Sequence, residues 1–307
     1  MPNSAYRFQF VVDAAHHGRR IDTFLTSRLR NHASAQFLRL ARAGLIRVND
    51  SPCETDQRVH RGEEVTLELA EPPETFYPAE PIGLHILYED PWLLAINKPA
   101  GMLVHPAGPV GGGTVANAVQ NWLDSRTRLA GLQRPGIVHR LDRETSGVML
   151  IARDSLAHAA LTRQFERGVI RKRYCAIVME RLIPDAGLIS APIGNLPGGL
   201  RMGSGPDAVR SRAARTEFRV LRRLRSTTLV LARPLTGRKH QIRVHFASEG
   251  HPIVGDAVYS QQDCQSAWPK RHALHAASIS FRHPVTNAAM RIDAPPSDDF
   301  WGTLADL

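Results

Sequence analysis

The sequence of 307 residues predicts an α+β fold with a mixed, largely antiparallel sheet, preceded by a small N-terminal module. Strand-like and helix-like segments follow one another without the regular alternation of a parallel α/β protein. Four prolines fall within residues 71–81, which excludes a helix or a central strand there. No internal repeat of about 20–50 residues is visible. We therefore expect a module over residues 1–71, a proline-rich linker over 72–84 and a larger domain over 85–307.

The N-terminal module is expected to combine two helices with a small sheet. Apolar residues recur at helical spacing in two segments, and the flanking segments alternate or are short and apolar, as strands are. The predicted elements are an edge strand over residues 7–12, helices over about 21–29 and 37–43, the second ended by Gly44, strands over 45–48 and 65–69, and a turn at Asn49 and Asp50.

The larger domain is expected to contain more strands than helices. Thr114 is placed to cap a helix that runs through residue 123, and Ser155 is placed to cap another that ends near residue 167. Apolar and β-branched runs predict strands. These strands cover residues 86–88, 93–96, 148–152, 174–178, 216–220, 229–232 and, with a less regular pattern, 276–281.

The composition indicates a globular protein that binds an acidic partner. Hydrophobic residues make up 43% of the chain, the net charge is +10, and 35 arginines stand against 4 lysines. Arginine suits phosphates and base edges, which points to nucleic acid, although a GC-rich genome also favours arginine over lysine. Residues 1–71 hold ten arginines and nine acidic residues, so the charge belongs mainly to the larger domain. Residues 201–225 hold eight arginines and two acidic residues, and this run is either a nucleic-acid surface or a solvated face.

Several other classes of protein are disfavoured. Cys53, Cys175 and Cys264 lie far apart and form no CxxC motif, which argues against a disulfide framework and a zinc finger. The glycine-rich segment 108–114 lacks the ending of a nucleotide-binding loop. The chain shows neither a signal-peptide pattern nor an 18-residue apolar run. We expect a cytoplasmic protein that does not bind membranes.

One segment has the character of a catalytic loop. Residues 136–147 read GIVHRLDRETSG and lead directly into the apolar run 148–152. Catalytic groups are concentrated in polar loops mounted on strands. An aspartate such as Asp142, flanked by Arg140 and Arg143, is expected to have a lowered pKa and to stay ionised. Spacing alone leaves the alternative open that Asp142 is a structural residue that caps the turn.

This segment resembles the HRLDxxTSG signature of the Rlu-type family of pseudouridine synthases, which modify ribosomal and some transfer RNAs. Three further blocks resemble the family in the same order. They are Asn97 to Gly101 with His105 and Pro106, the segment Arg173 to Val178, and the segment Thr236 to His245 that continues to Gly255 and Asp256. The closing Leu274, His275 and Ala276 also fit. Together the blocks span residues 86–295, most of the chain.

The resemblance implies roles for three catalytic residues. Asp142 would be the catalytic carboxylate that allows the bond between uracil and ribose to break and re-form. Tyr174 would lie against the uracil and could assist loss of its C5 proton, unless it is a strand residue of the core. Arg243 would pair with Asp142, unless it is an exposed helix residue without a partner.

The resemblance also implies an RNA-binding set. Arg140 would fill the stack vacated by an extruded uridine, or would clamp a phosphate. Its neighbours His139 and Arg143 belong to the same set, with a structural role as the alternative for His139. The other expected RNA contacts are Lys98, Arg238 and His240.

The N-terminal segment resembles the S4-type RNA-binding module, a small α/β module. The similar positions lie around Arg20 to Leu25, Gly44 to Asn49 and Gly62 to Val65. The sequence departs from that pattern where a Ser-Arg pair normally opens the second helix, because residues 32–36 read HASAQ. The resemblance therefore favours the S4-like fold more than a strong grip on RNA.

The function that the resemblance implies is an RNA pseudouridine synthase, an isomerase (an intramolecular transferase) that needs no metal and no cofactor. Its expected partner is structured RNA, foremost large-subunit ribosomal RNA and alternatively transfer RNA, and the chain is expected to be a monomer. One alternative is an RNA-binding ribosome assembly factor that has lost catalysis. Another is a glycosidase-like or nuclease enzyme that uses Asp142 with a second acid, for which Glu144 is the nearest candidate.

Overall fold

A computed structural model describes residues 6–29, 32–69, 77–107, 110–126, 135–198, 201–260 and 271–300. The α-helices within these ranges are α1 (Ile21–Arg28), α2 (Ser34–Arg42), α3 (Val115–Asp124), α4 (Ser155–Glu166) and α5 (Gln241–Ser248). The strands of the N-terminal part are β1 (Tyr6–Val11), β2 (Arg19–Arg20), β3 (Ile46–Val48), β4 (Ser51–Pro52), β5 (Arg58–Val59) and β6 (Glu64–Leu69).

The strands after residue 77 are more numerous. They are β7 (Ile86–Glu89), β8 (Leu93–Lys98), β9 (Gly136–Ile137), β10 (Ser146–Ala152), β11 (Arg171–Met179), β12 (Ala186–Ser190), β13 (Ile193–Asn195), β14 (Met202–Gly203), β15 (Val209–Arg212), β16 (Arg215–Arg223), β17 (Thr227–Pro234), β18 (Leu274–Arg282) and β19 (Ala289–Asp293).

The N-terminal part folds around its own core. Its main sheet has the order β1-β6-β3-β4, so the first strand lies at an edge, as the alternation of residues 7–12 predicted. α1 and α2 bury Phe24 and Phe37 completely against this sheet. Asn49 and Asp50 have φ values of 48° and 63°, which form the predicted tight turn between β3 and β4.

The larger sheet follows the order β12-β16-β17-β11-β18-β10-β8-β7, with β19 beside β18 and β9 beside β10. Its described pairings are antiparallel apart from β10 with β18, which is parallel. This is the α+β fold with a largely antiparallel sheet that the order of elements predicted. Every residue of β10 is buried, because the strand lies in the middle of the sheet and both its faces are covered.

The parallel joint between β10 and β18 depends on a glycine. Ser146 pairs with His275 and Gly147 pairs with Ala276. Gly147 has a φ of +119°, and a Cβ atom there would lie 2.4 Å from the carbonyl oxygen of Ala276. Only glycine allows this φ and this close approach of two backbones. The loop that precedes Gly147 is thereby fixed against β18.

Two helix caps were predicted, and one of the predictions was wrong. Thr114 and Asn117 form a capping box at the start of α3, as expected from Thr114. α4 is capped by Asp154, whose carboxylate accepts a hydrogen bond of 2.7 Å from the Ala157 amide. Ser155 is the first helical residue instead of the cap, because an aspartate directly before it already satisfies the amide.

The described end of the expected linker lies against the larger domain. The Pro78 carbonyl accepts a hydrogen bond of 2.9 Å from the Asn117 side chain, and the Glu80 carboxylate accepts one of 3.0 Å from the Gly113 amide. Pro72 and Pro73 lie outside the described residues. The division into residues 1–71, 72–84 and 85–307 stays a proposal. None of the described helices has the length and apolar character needed to cross a membrane.

Candidate active site

The loop that contains Asp142 is held from beneath by buried polar groups. The Lys98 ammonium donates hydrogen bonds to the carbonyls of Pro99, Met102 and Arg143 at 2.7, 2.8 and 2.9 Å. Lys98 is completely buried at the end of β8, so one side chain ties the loop after β8 to the loop before β10. The Thr145 amide also donates to the Asp142 carbonyl at 3.1 Å. The backbone at Asp142 is therefore fixed on both sides.

Two histidines fix the end of the same loop: His272 lies just before β18 and His275 lies in it. The Thr145 hydroxyl lies 2.7 Å from Nε2 of His272, and the Ser146 hydroxyl lies 2.8 Å from Nδ1 of His275. His275 Nε2 is 3.0 Å from the Ala294 carbonyl, which requires a proton on Nε2 and leaves Nδ1 to accept from Ser146. Burial lowers the pKa of both rings, that of His272 to about 3, so both are neutral at pH 7.

Arg243 joins Asp142 to a second aspartate. Its Nη1 donates to Oδ2 of Asp142 at 3.1 Å, while its Nε and Nη2 donate to the two oxygens of Asp256 at 2.7 and 2.8 Å. The Asp142 side chain keeps 20% of its surface exposed, whereas Asp256 keeps none. Burial raises the pKa of Asp256, but hydrogen bonds from Arg243 and its charge outweigh burial and keep that pKa low. Asp142 is thus the partly open carboxylate of a three-residue cluster.

The position of Arg243 follows from the start of α5. Gln241 accepts hydrogen bonds from the Thr236 hydroxyl and the Arg238 amide, and its own amide donates to the Arg215 carbonyl at 2.9 Å. These contacts fasten the loop before the helix to β16. Arg243 comes two residues later and is 5% exposed, so its guanidinium points into the site instead of into solvent.

Tyr174 lines the same cleft as Asp142 and Arg243. It is 8% exposed and lies in β11, which places it between β17 and β18. Burial, and then the negative charge of Asp142, raise the pKa of the Tyr174 phenol. The phenol is therefore protonated at neutral pH, and the ring is an apolar surface beside the carboxylate.

His240 and Tyr259 form a further contact at the start of α5. His240 directly precedes α5 and adopts a left-handed conformation with a φ of 56°. Its Nδ1 lies 2.8 Å from the Tyr259 hydroxyl, and its Nε2 lies 3.9 Å from Oδ1 of Asp142. The Tyr259 ring also lies 5.0 Å from the Arg243 guanidinium carbon. The expected RNA contact of His240 remains a prediction, and the structure places its ring directly beside Asp142.

These groups open into a cleft of about 990 Å³. Asp142, Tyr174 and Arg243 all line it, so the structure brings the three predicted catalytic residues together. Among the described lining residues the only other carboxylate belongs to Glu166. Apart from Arg243, the basic side chains that line the cleft are Arg140, Arg171, Lys172, Arg233, Arg238 and Lys239.

The predicted RNA-binding arginines have different surroundings. Arg140 is exposed at the cleft and makes no hydrogen bond or ion pair within the described part of the chain. Arg143 is exposed as well, but its Nε donates to the Gly101 carbonyl at 3.0 Å and lies 3.6 Å from Glu144. Arg238 lines the cleft and donates from Nε to the Ala213 carbonyl at 3.1 Å. Arg140 is thus the arginine of this set whose guanidinium is free to meet a ligand.

Two expected RNA contacts have structural positions instead. Lys98 is buried and uses its ammonium on three backbone carbonyls, so a direct contact with RNA is wrong for this residue. His139 accepts the Leu150 amide hydrogen at 2.9 Å through Nε2, and its ring packs on Phe165 with centroids 4.8 Å apart. These contacts support the structural alternative for His139, because its acceptor nitrogen already serves β10.

Two residues of the site were not assigned a role from the sequence. Asp256 was noted only as part of a block, and Tyr259 was not noted at all. An acidic residue thirteen positions after Arg243, in the same block and next to Gly255, is the signal that could have identified Asp256. Tyr259 gave no comparable signal, because its contacts with His240 and Arg243 exist only in the folded chain.

The arrangement suits chemistry at one carboxylate. Glu144, the second acid considered from the sequence, does not line the cleft, and its carboxylate lies 3.6 Å from Nε of Arg143. No group of three or more potential metal-ligating side chains occurs in the described ranges. The site combines the partly exposed Asp142 carboxylate, a guanidinium that orients it, an aromatic ring and a basic cleft.

Comparisons with known proteins agree with this arrangement. The family model described as RNA pseudouridylate synthase matches residues 92–248. The chain is 36% identical to the ribosomal large subunit pseudouridine synthase D of Xylella fastidiosa, over 94% of this chain and 89% of that protein. It is 35% identical to the RNA pseudouridine synthase YlyB of Bacillus subtilis, over 94% of each chain. The solved structure of human RNA pseudouridylate synthase domain containing 4 superposes with a TM-score of 0.59 and 26% identity, covering 72% of this chain and 92% of that one.

Proposed function

We propose that this protein converts specific uridines of large-subunit ribosomal RNA to pseudouridine, with Asp142 as the catalytic carboxylate. The chain belongs to the RNA pseudouridylate synthase family and is therefore an RNA-modifying isomerase. The relatives named for the large ribosomal subunit match over more than nine-tenths of this chain, which supports that RNA over transfer RNA. The single observation that carries the catalytic assignment is the contact of 3.1 Å between Arg243 and the partly exposed Asp142.

The reaction moves one bond and leaves the composition of the RNA unchanged. The bond between N1 of uracil and C1′ of ribose breaks, the base turns over, and C5 bonds to C1′. C5 loses a proton and N1 gains one, so no electrons and no groups are exchanged with another molecule. Asp142 would either attack the sugar or stabilise developing positive charge there and remove a sugar proton. Both routes require a carboxylate held at the sugar, and the hydrogen bond from Nη1 of Arg243 orients Asp142.

Tyr174 is proposed to contact the uracil. Its ring lines the same cleft as Asp142, and its raised pKa keeps the hydroxyl protonated. A protonated phenol is not a resting general base, so we assign Tyr174 to contact with the face of the base. Transfer of the C5 proton to the Tyr174 oxygen would first require the phenol to release its own proton to solvent, which its raised pKa disfavours.

Arg140 is proposed to fill the space that an extruded uridine leaves. Extrusion from a duplex costs a few kcal/mol, and a planar guanidinium that stacks on the neighbouring bases offsets part of that cost. Its exposure at the cleft and its lack of a partner in the described chain support this role. The alternative is a phosphate clamp.

We expect Arg140→Ala to lower the rate of isomerisation more on a duplex target than on a single-stranded target. The reason is that only the duplex target carries the cost of unstacking. Initial rates on the two forms of one RNA fragment measure this difference. Equal losses on both forms would remove the stack-filling role and would favour the phosphate clamp.

Mapping of pseudouridines tests the proposed substrate. In a strain that lacks the gene, we expect pseudouridine to be missing at specific positions of large-subunit ribosomal RNA and to return with a plasmid copy of the wild type. Sites missing only from transfer RNA would contradict the ribosomal assignment. An unchanged map in both RNAs would favour the assembly factor without catalysis.

A further inference from the structure

Lys172 is a cationic residue in the cleft that the catalytic assignment does not use. In β11 the residues Arg171 and Arg173 are exposed, whereas Lys172 is half-buried and Tyr174 is buried. The irregular pairing with β18 places the extra residue in β18, so the alternation along β11 is intact. Lys172 and Tyr174 therefore lie on one face of the strand, and both line the cleft.

No protein group neutralises Lys172 within the described ranges, since its ammonium forms neither a hydrogen bond nor an ion pair there. The other carboxylates of the cleft do not serve it, because Asp142 is bound by Arg243 and Glu166 lies beyond ion-pair distance. His139 lies close enough for its pKa to be lowered by Lys172, and that ring is neutral because its Nε2 accepts the Leu150 amide hydrogen.

Burial also lowers the pKa of Lys172 itself. A cation held in a desolvated place without a counter-charge destabilises the free protein. Such a position is understandable where a ligand supplies the missing negative charge. Lysine acts on phosphate as a point charge and does not need the planar geometry of a guanidinium.

We propose that Lys172 binds a backbone phosphate of the extruded nucleotide, while Tyr174 contacts its base and Asp142 its sugar. Residues two apart on a strand are spaced by roughly 6.5–7 Å, which matches a base and a phosphate separated by one ribose. A phosphate is preferred over a uracil carbonyl because only the phosphate has the full negative charge that the ammonium lacks. This inference rests on the proposed function.

The first test compares Lys172→Met with Arg173→Met. Both variants lose one positive charge at adjacent positions of β11, but Arg173 is on the exposed face. Binding to an in vitro transcript of the large-subunit RNA fragment that contains the mapped uridine is measured over a range of salt concentrations. We expect Lys172→Met to weaken binding by about tenfold or more and to reduce the slope of log K against log salt by about 0.7–0.9, and Arg173→Met to change both less. Equal effects of the two variants would overturn the inference.

The second test identifies the phosphate. The same RNA fragment is synthesised with an uncharged methylphosphonate at the phosphate on either side of the target uridine. At one of the two positions the wild type should lose affinity by about the factor that Lys172→Met loses, and the variant should lose nothing further. Additive losses at both positions would show that Lys172 does not meet a flanking phosphate.

The stability of Lys172→Met separates this role from a structural one. Because the variant removes a desolvated charge without a partner, its melting temperature should equal or exceed that of the wild type. A lower melting temperature would show that the ammonium supports the fold and would overturn the inference. Isomerisation by the wild type on the same fragment is measured in parallel, and its absence would count against the proposed function instead.

Discussion

Arg243 contacts two carboxylates at once, and the two contacts differ. Asp256 receives two hydrogen bonds from it and is fully buried, whereas Asp142 receives one and remains partly exposed. The bidentate contact fixes the plane of the guanidinium. The remaining Nη1 then has one direction in which to hold Asp142. If Asp142 is the catalytic carboxylate, as proposed above, Asp256 is a positioning residue that acts on it through Arg243.

We expect Asp256→Asn to lower kcat by about 100-fold, because a small displacement of Arg243 misplaces Asp142. The free energy of unfolding should fall by about 1–3 kcal/mol, since the buried Arg243 cation loses one of its two carboxylates and keeps the other. Single-turnover rates and urea unfolding measure the two effects. Arg243→Lys is the companion variant, because it keeps the charge but cannot form the bidentate contact. Full activity in both variants would contradict the positioning role.

At the residue scale, the sequence identified three residues that line one cleft, but it did not identify the groups that hold them in place. Asp142 and Arg243 are 101 positions apart, and only the resemblance to a family connected them. Lys98 was assigned to RNA as part of the set that the resemblance implies. The sequence gives no sign that three backbone carbonyls converge on this ammonium, since that depends on how two loops pack.

At the scale of elements, the site depends on the short parallel joint between β10 and β18. The loop with Asp142 enters β10 at Ser146, and β18 follows directly after His272. Both strands therefore start at the same end of the sheet, where Thr145 and Ser146 meet His272 and His275. The close approach at Gly147 makes this arrangement geometrically possible.

Gly147→Ala should accordingly be strongly destabilising, by about 2–4 kcal/mol, because it combines a strained φ with a clash against the Ala276 backbone. The matched control is Gly44→Ala in the N-terminal module, where φ is +71° but a Cβ would meet nothing within 4 Å. That control should cost only about 1 kcal/mol. Thermal or urea unfolding of both variants gives the comparison. Equal costs would show that the joint tolerates a side chain.

The elements that the sequence predicted well share a simple pattern. β10 and β11 were anticipated within a few residues because they are long and apolar or alternating. The short strands β13, β14 and β15 were not predicted. They have two to four residues each, and every residue of β15 is exposed. No hydrophobic periodicity distinguishes such strands from a loop.

At the scale of the whole molecule, the arginine run 201–225 is joined to the loop before α5 by a backbone contact. The arginine run 201–225 forms β15 and β16, with Arg215 and Arg219 exposed on the second strand. The Arg215 carbonyl accepts from Gln241, so this surface is attached to the loop that leads to Arg243. None of the arginines of this run lines the cleft, so its interpretation as part of an RNA surface stays a prediction.

Histidines that are neutral in the fold make the whole molecule sensitive to acid. Burial, and then the charge of Lys172, lower the pKa of His139 to about 3, against an ordinary value of 6.5. Between these values the unfolded chain takes up a proton that the folded chain does not. Stability from this group is therefore complete above pH 6.5 and is lost as the pH falls toward 3.

His139→Gln should reduce this dependence, because the amide oxygen can still accept the Leu150 amide hydrogen but does not titrate. We expect the slope of unfolding free energy between pH 6 and 4.5 to decrease by up to about 1.4 kcal/mol per pH unit. Urea unfolding at several pH values measures the slope. An unchanged slope would mean that His139 titrates in the fold as it does in the unfolded chain.

The most direct test of the account concerns the Asp142 carboxylate. Unmodified large-subunit ribosomal RNA, labelled with tritium at C5 of uridine, is incubated with the purified protein, and tritium released to water is counted. The wild type should release tritium without any added cofactor, whereas Asp142→Asn should fold normally and release it at least about 10⁴-fold more slowly. Release by Asp142→Asn at a rate near that of the wild type would contradict the central claim.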